Sequence, residues 1–227
     1  MGTSPFMKNS SIVVLLFLLS FQGLGQYTDG GGWFGAGVSS KVNKRISWNA
    51  ESQLRLNQGF TRYNTVLVDL GGRYKITKDL DFDLTYRFAH GQNDQLLYFL
   101  RHRIALDLRY EWDLGKPEIQ FRVRYQAGQR GVPGSSEGIS DLRDAFRYRA
   151  KIDRKLFRKT RGSASCELFQ STDLNDFQLT DYRLRFQVER NLPGPHEITI
   201  GYLFQEELFR ANPLKEHILT LGYSVKI

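Results

Sequence analysis

The stretch Arg103-Ile104-Ala105-Leu106-Asp107-Leu108-Arg109-Tyr110-Glu111-Trp112 decides the fold class. Its even-numbered side chains are all large and apolar, and all but one of its odd-numbered side chains are charged. A period of two is the period of a β-strand, whose successive side chains point to opposite faces. The stretch is also long. Strands of globular domains average about five or six residues, whereas a strand that crosses a membrane at a tilt needs about ten. A ribbon of that length, greasy on one face and ionic on the other, fits the wall of a barrel with lipid outside and a polar lumen inside.

Working outward, the same pattern recurs along nearly the whole chain. Ile46, Trp48, Ala50, Leu54 and Leu56 alternate with Ser47, Asn49, Glu51, Gln53 and Arg55. Leu80 to Phe88 alternates with Asp81, Asp83, Thr85 and Arg87. Ile119 to Tyr125, Tyr182 to Val188 and Ile198 to Phe204 repeat it, as do the weaker segments Val66 to Ile76 and Phe146 to Asp153. Ala164, Cys166 and Leu168 make a short, poor strand, and Phe34, Ala36 and Val38 alternate with glycine and serine. No sustained helical period and no linker interrupts them. The expected fold is all-β: a single antiparallel transmembrane barrel of about 10–12 strands. The segments number about eleven. Bacterial single-chain barrels prefer even numbers, so either Phe34–Val38 is not a wall strand, giving ten, or one strand is concealed, giving twelve.

Turn chemistry and aromatics give the strands an up-and-down order. Short connections follow Val38, Ile76, Trp112 and Asn191; longer ones are expected near residues 57–62, 89–98, 128–143, 171–177 and 207–215, with Gly128 to Gly138 as a mobile external loop. Trp48, Tyr74, Tyr110, Trp112 and Tyr223 fall near one set of strand ends, and Phe88, Tyr125, Tyr182 and Phe204 near the other. Two such belts suit the two membrane–water interfaces.

The N-terminus supplies the compartment. Lys8, the apolar run Ile12 to Leu19 and the small-residue site Gly23-Leu24-Gly25 have the order of a secretory signal peptide. The run is shorter than the roughly 20 residues a spanning helix needs. Residues 1–25 are therefore read as signal peptide and 26–227 as the barrel domain, located in the bacterial outer membrane. The single cysteine, Cys166, excludes an internal disulfide. The net charge of +8 could suggest nucleic acid. The arginines, however, recur singly on alternate strand positions, not as a tail or a recognition helix, so no nucleic-acid partner is expected.

The last segment, Leu219, Leu221, Tyr223, Val225 and Ile227, alternates to the final residue. It is similar to the terminal strand of outer-membrane proteins that the barrel-assembly machinery reads, although that signal usually ends in an aromatic. Asp29-Gly30-Gly31-Gly32-Trp33, then Lys41-Val42-Asn43-Lys44-Arg45, and His217 to Tyr223 at the end resemble the domain-of-unknown-function family 2490, outer-membrane barrels common in Bacteroidetes. The resemblance covers about the whole mature chain. It implies a fold, a location and contact with outer-membrane lipid, but no activity, catalytic residue or cofactor.

The chemistry that the residues themselves suggest is electrostatic. Four Arg-x-Arg pairs, Arg101/Arg103, Arg122/Arg124, Arg147/Arg149 and Arg183/Arg185, lie on the face assigned to the lumen and are expected toward the long loops. Asp81, Asp83, Asp107, Glu111, Glu118, Asp153, Glu189 and Glu197 lie mostly toward the short turns. One reading is an axially polarised lumen that attracts anions and serves a narrow channel. The other is cross-strand pairing that fills a narrow barrel. A lipid-modifying enzyme with a site at the rim is the alternative activity, for which His90 with Ser171 or Ser135 could be invoked without a supporting motif. Scattered histidines give no metal site.

Overall fold

A computed structural model describes residues 28–92, 96–113, 115, 117–131, 142–172 and 178–227. The signal-peptide segment, most of the Gly128–Gly138 loop and Ser135 lie outside the described residues. The described chain forms eleven strands: β1 Thr28–Lys41, β2 Ile46–Asn57, β3 Arg62–Lys75, β4 Leu80–Gln92, β5 Tyr98–Asp113, β6 Glu118–Gly131, β7 Leu142–Phe157, β8 Thr160–Ser171, β9 Leu179–Asn191, β10 His196–Glu207 and β11 Lys215–Lys226. Each pairs antiparallel with its sequence neighbour, and β1 pairs with β11 to close the barrel.

That closure corrects the expectation of an even strand number. In a purely antiparallel ring the first and last strands run oppositely, which demands an even count. Here β1 and β11 run parallel, with Thr28 opposite Lys215 and Ser39 opposite Lys226. An odd ring of eleven can therefore close, and neither ten nor twelve is needed. The Phe34–Val38 segment is part of a 14-residue wall strand, since β1 extends through the glycines on either side of Trp33. The weak Ala164–Leu168 segment lies in a 12-residue strand, β8. Its outward residues are merely small.

Closure leaves no open strand edge in the wall. The connections at one end are built for tightness. Asn43 Oδ1 accepts from the amides of Arg45 and Ile46, both at 2.8 Å, and Thr77 Oγ1 from those of Asp79 and Leu80 at 3.2 and 3.0 Å. These side-chain turns reverse the chain within four residues. The connection near 57–62, expected to be long, is also tight: β2 ends at Asn57 and β3 begins at Arg62. Gln58, Gly59 and Phe60 all take positive φ there. The remaining connections at that end, between β4 and β5, β6 and β7, β8 and β9, and β10 and β11, are longer than the short turns opposite.

The parallel seam makes a specific prediction. In a Cys166→Ser background, Val38→Cys and Val225→Cys face each other across β1 and β11, within the Cα separation a disulfide tolerates. Mild oxidation should crosslink them and change gel mobility, whereas Val38→Cys with Val188→Cys should not. Failure of the first pair to crosslink would contradict the eleven-strand closure.

Candidate functional site: a charged lumen

The alternation seen in the sequence separates two environments. Asp107 on β5 is 1% exposed, while its neighbours Leu106 and Leu108 face outward. The same holds for Asp69, Asp81, Asp83, Arg122, Arg147, Glu167 and Glu197, all buried on the inner face. Charges in that position need partners, because an isolated buried ion carries a large desolvation cost.

Two carboxylates organise the interior. Asp107 receives a two-pronged contact from Arg124, at 2.5 and 2.6 Å, and lies 3.6 Å from Arg109 and 3.7 Å from Arg122. Glu167 on β8 receives a second fork from Arg147, at 3.1 and 2.8 Å, together with an ion pair from Arg122 and a 3.8 Å approach from Arg183. Arg122 therefore joins the two hubs. Arg109 extends the chain to Asp83 at 2.6 Å, and Arg73 extends it from Asp83, at 2.7 Å, to Asp81 at 3.8 Å. The network is continuous from β3 to β9. Planar guanidinium forks suit such sites because they pair with both carboxylate oxygens at once.

Across the seam the interior is apolar. Trp33, Leu203 and Ile218 form a buried cluster on the inner faces of β1, β10 and β11. The two halves meet at the indole. Arg55 of β2 lies over the Trp33 ring at 3.9 Å, and Arg183 of β9 at 5.4 Å. Strands separated by β1, β11 and β10 thus touch through one side chain, which measures how narrow the lumen is there. Cation–π contact of this kind strengthens where water is excluded.

Two cavities lie beside this packed zone. One, of about 320 Å³, is bordered by Gly35, Gly37, Ser39, Thr199 and Gly222 near the seam, with Glu51 and Arg185 facing them. The other, of about 300 Å³, lies toward the longer connections and is lined by Arg55, Arg87, Arg101, Arg103, Asn64 and Gln92 with Phe99 and Leu67. Gly91 makes room for Phe99: a Cβ there would stand 2.5 Å from the Phe99 ring and 2.8 Å from Thr65 Oγ1.

The eight arginines singled out in the sequence all share the inner face, but they occupy different settings. Arg122, Arg124, Arg147 and Arg183 belong to the ion-pair network. Arg149 donates to Gln120 Oε1 at 2.7 Å. Arg185 lies 6.0 Å from the Trp33 ring, and Arg101 lies over Phe99 at 5.1 Å. Arg103 lines the second cavity with Arg101. Arg122 and Arg124 sit nearer Glu118, at the turn end of β6, than Gly131. The acids toward the turns have cationic partners of their own: Asp153 with Lys151 at 2.9 Å, Glu118 with Arg161 at 2.8 Å and Glu197 with Lys226 at 2.5 Å.

Sequence reasoning missed several participants. Glu167 was concealed by the small outward residues of β8, although its parity opposite Cys166 places it inside. Arg55 and Arg87 escaped because each stands alone and not in an Arg-x-Arg pair. Trp33, Leu203 and Ile218 are apolar residues at polar-face positions, the one signal that marks a lumenal plug.

The histidines have a different role. All four face outward, each with Nδ1 near a tyrosine hydroxyl: Tyr63 and His90 at 3.0 Å, Tyr86 and His102 at 2.6 Å, Tyr202 and His217 at 2.5 Å, Tyr223 and His196 at 2.7 Å. His90 lies on β4 and Ser171 on β8, on opposite sides of the ring, so this pair is not brought together. Among the described residues no group of His, Cys, Asp and Glu could hold a metal ion.

A family model described as a protein of unknown function, DUF2490, matches residues 30–215. No curated protein matches the chain.

The Glu167 hub is testable by charge removal. Glu167→Gln keeps the shape but leaves Arg122, Arg147 and Arg183 converging without their anion. Breaking one side of a buried pair costs about 3–5 kcal/mol. Urea unfolding of the reconstituted barrel should show a loss of that order, and a loss below about 1 kcal/mol would contradict the role given to Glu167.

Proposed function

The chain belongs to the DUF2490 family, and we propose that it serves as an outer-membrane barrel with a packed interior, a structural or interaction component of the membrane with no open pore. The observation that carries the closed interior is the meeting of Arg55 and Arg183 on Trp33, beside an ion-pair network that spans the facing wall. A water-filled channel needs a continuous clear path, and here side chains of β1, β2 and β9 meet inside the lumen.

Membrane placement is supported by the outer face. Ile200 is 60% exposed and Leu219 57%, in company with Leu70, Leu84, Ile104, Leu108 and Phe186. In water each such side chain would forgo roughly 1.5–3 kcal/mol of burial. A belt of them around a closed barrel therefore needs hydrocarbon, since exposed apolar patches of that extent signal a membrane or partner surface. Tyr74, Tyr110, Trp48 and Trp112 border the belt at the short-turn end. Tyr63, Tyr98 and Tyr182, with His90 stacked on Tyr98, border it at the other, where amphipathic rings meet head groups. On this reading Leu219, Leu221 and Tyr223 of β11 present the outward stripe that the assembly machinery would engage, and the signal peptide delivers the chain to it.

Two readouts test the proposal. Reconstituted into planar bilayers, the protein should give no persistent conductance steps; a steady ohmic current would overturn the closed interior. In vesicles of brominated lipid, variants retaining only Trp48 or only Trp112 should be quenched strongly, and one retaining only Trp33 weakly. Equal quenching of all three would overturn the placement of the two faces.

A further inference from the structure

We propose that the arginine-lined cavity toward the longer connections is a binding site for a phosphate dianion, borne by a soluble phosphate compound or by a lipid head group. The proposal goes beyond the closed-barrel reading and is tested in detergent, so an unexpected conductance would leave it standing.

No carboxylate is among the residues that line this cavity. The nearest organised acid, Asp69, is taken up by Arg87, whose Nε and Nη2 reach its two oxygens at 2.6 and 2.5 Å. Arg55 commits only Nε to a hydrogen bond among the described residues, with Gln53 Oε1 at 2.7 Å. Arg103 makes no ion pair or hydrogen bond among them, although it is half-buried on the inner wall. The contrast with the rest of the lumen is the point. Elsewhere Arg122, Arg124 and Arg147 are matched to buried carboxylates at hydrogen-bond distance. Here two cations face a cavity with no anion of the protein's own.

Arg55 and Arg103, neither of which is held in an ion pair among the described residues, can take up the charge of a phosphomonoester or of inorganic phosphate, and their planar forks suit its tetrahedral oxygens. Asn64 and Gln92 add amide groups that can donate to the same oxygens. A volume of about 300 Å³ accommodates a phosphoryl group with a small substituent, for which Phe99, Leu67 and Ala89 supply an apolar wall. The cavity lies in a low-dielectric interior, where each charge-assisted hydrogen bond counts for more than in bulk water.

The test is calorimetric titration of inorganic phosphate into the detergent-solubilised full chain. Saturable binding is expected, weakening as salt is raised. R103Q and R55Q should each weaken it at least tenfold. R103K, which keeps the charge but loses the fork, should lie between R103Q and the unsubstituted protein, and it preserves the test where the glutamine variant does not fold. Phosphatidic acid micelles that compete with inorganic phosphate would assign the site to a head group. Absence of competition, with phosphatidylcholine as the blank, would assign it to soluble phosphates. Failure of inorganic phosphate to bind at millimolar concentration, or binding unchanged in R55Q and R103Q, would overturn the proposal.

Discussion

The interaction on which this structure depends is the convergence of several arginines on each of two buried carboxylates. Asp107 gathers Arg109, Arg122 and Arg124; Glu167 gathers Arg122, Arg147 and Arg183. An inward-facing ribbon of a narrow barrel cannot leave its charges to solvent. Each cation must find an anion or a ring. Strand register does this work. Arg124 lies opposite Asp107 on the neighbouring strand, and Arg183 opposite Glu167. A slip of one residue would turn these groups toward the outer face. The network thus fixes register as well as neutralising charge. It would be destructive if only half satisfied, because the same low dielectric that strengthens a pair penalises an orphan.

The seam, where the parallel pairing of β1 with β11 closes an odd ring, is packed differently. β1 carries Gly31, Gly35 and Gly37 on its inner face, and β11 carries Gly222 there. These positions supply no charges to the ring, and the interior there is filled by Trp33, Leu203 and Ile218 instead. Ionic packing on one side and apolar packing on the other meet where Arg55 and Arg183 cover the indole. The cavity near Arg55 and Arg103 lies beside this junction, and no carboxylate lines it.

Much of this was legible in the sequence. Alternation identifies the wall strands and their faces, because a period of two has no other simple physical origin. The parity of Arg122, Arg124, Arg147 and Arg183 places all four inside. What parity cannot give is which charges meet. That Arg122 reaches past β7 to Glu167 depends on barrel curvature and side-chain length, which a linear pattern does not contain. Likewise the parallel seam leaves no local mark. β1 alternates glycine with modest apolar residues, and only three-dimensional closure shows that it pairs with β11. His90 alone read as a loop-edge polar residue; the tyrosine partner of each histidine comes from the adjacent strand, Tyr63 of β3 beside His90 of β4 included.

The central claim is that each strand is a ribbon with hydrocarbon on one side and a shielded ionic interior on the other. Spin labels placed one at a time along Arg103 to Trp112 in liposomes measure it most directly, through collision with oxygen and with a water-soluble nickel chelate. Strong oxygen collision is expected at residues 104, 106, 108 and 110, and weak collision with both reagents at 105, 107 and 109. Oxygen accessibility without that two-residue alternation, or free access of the nickel chelate to position 107, would contradict it.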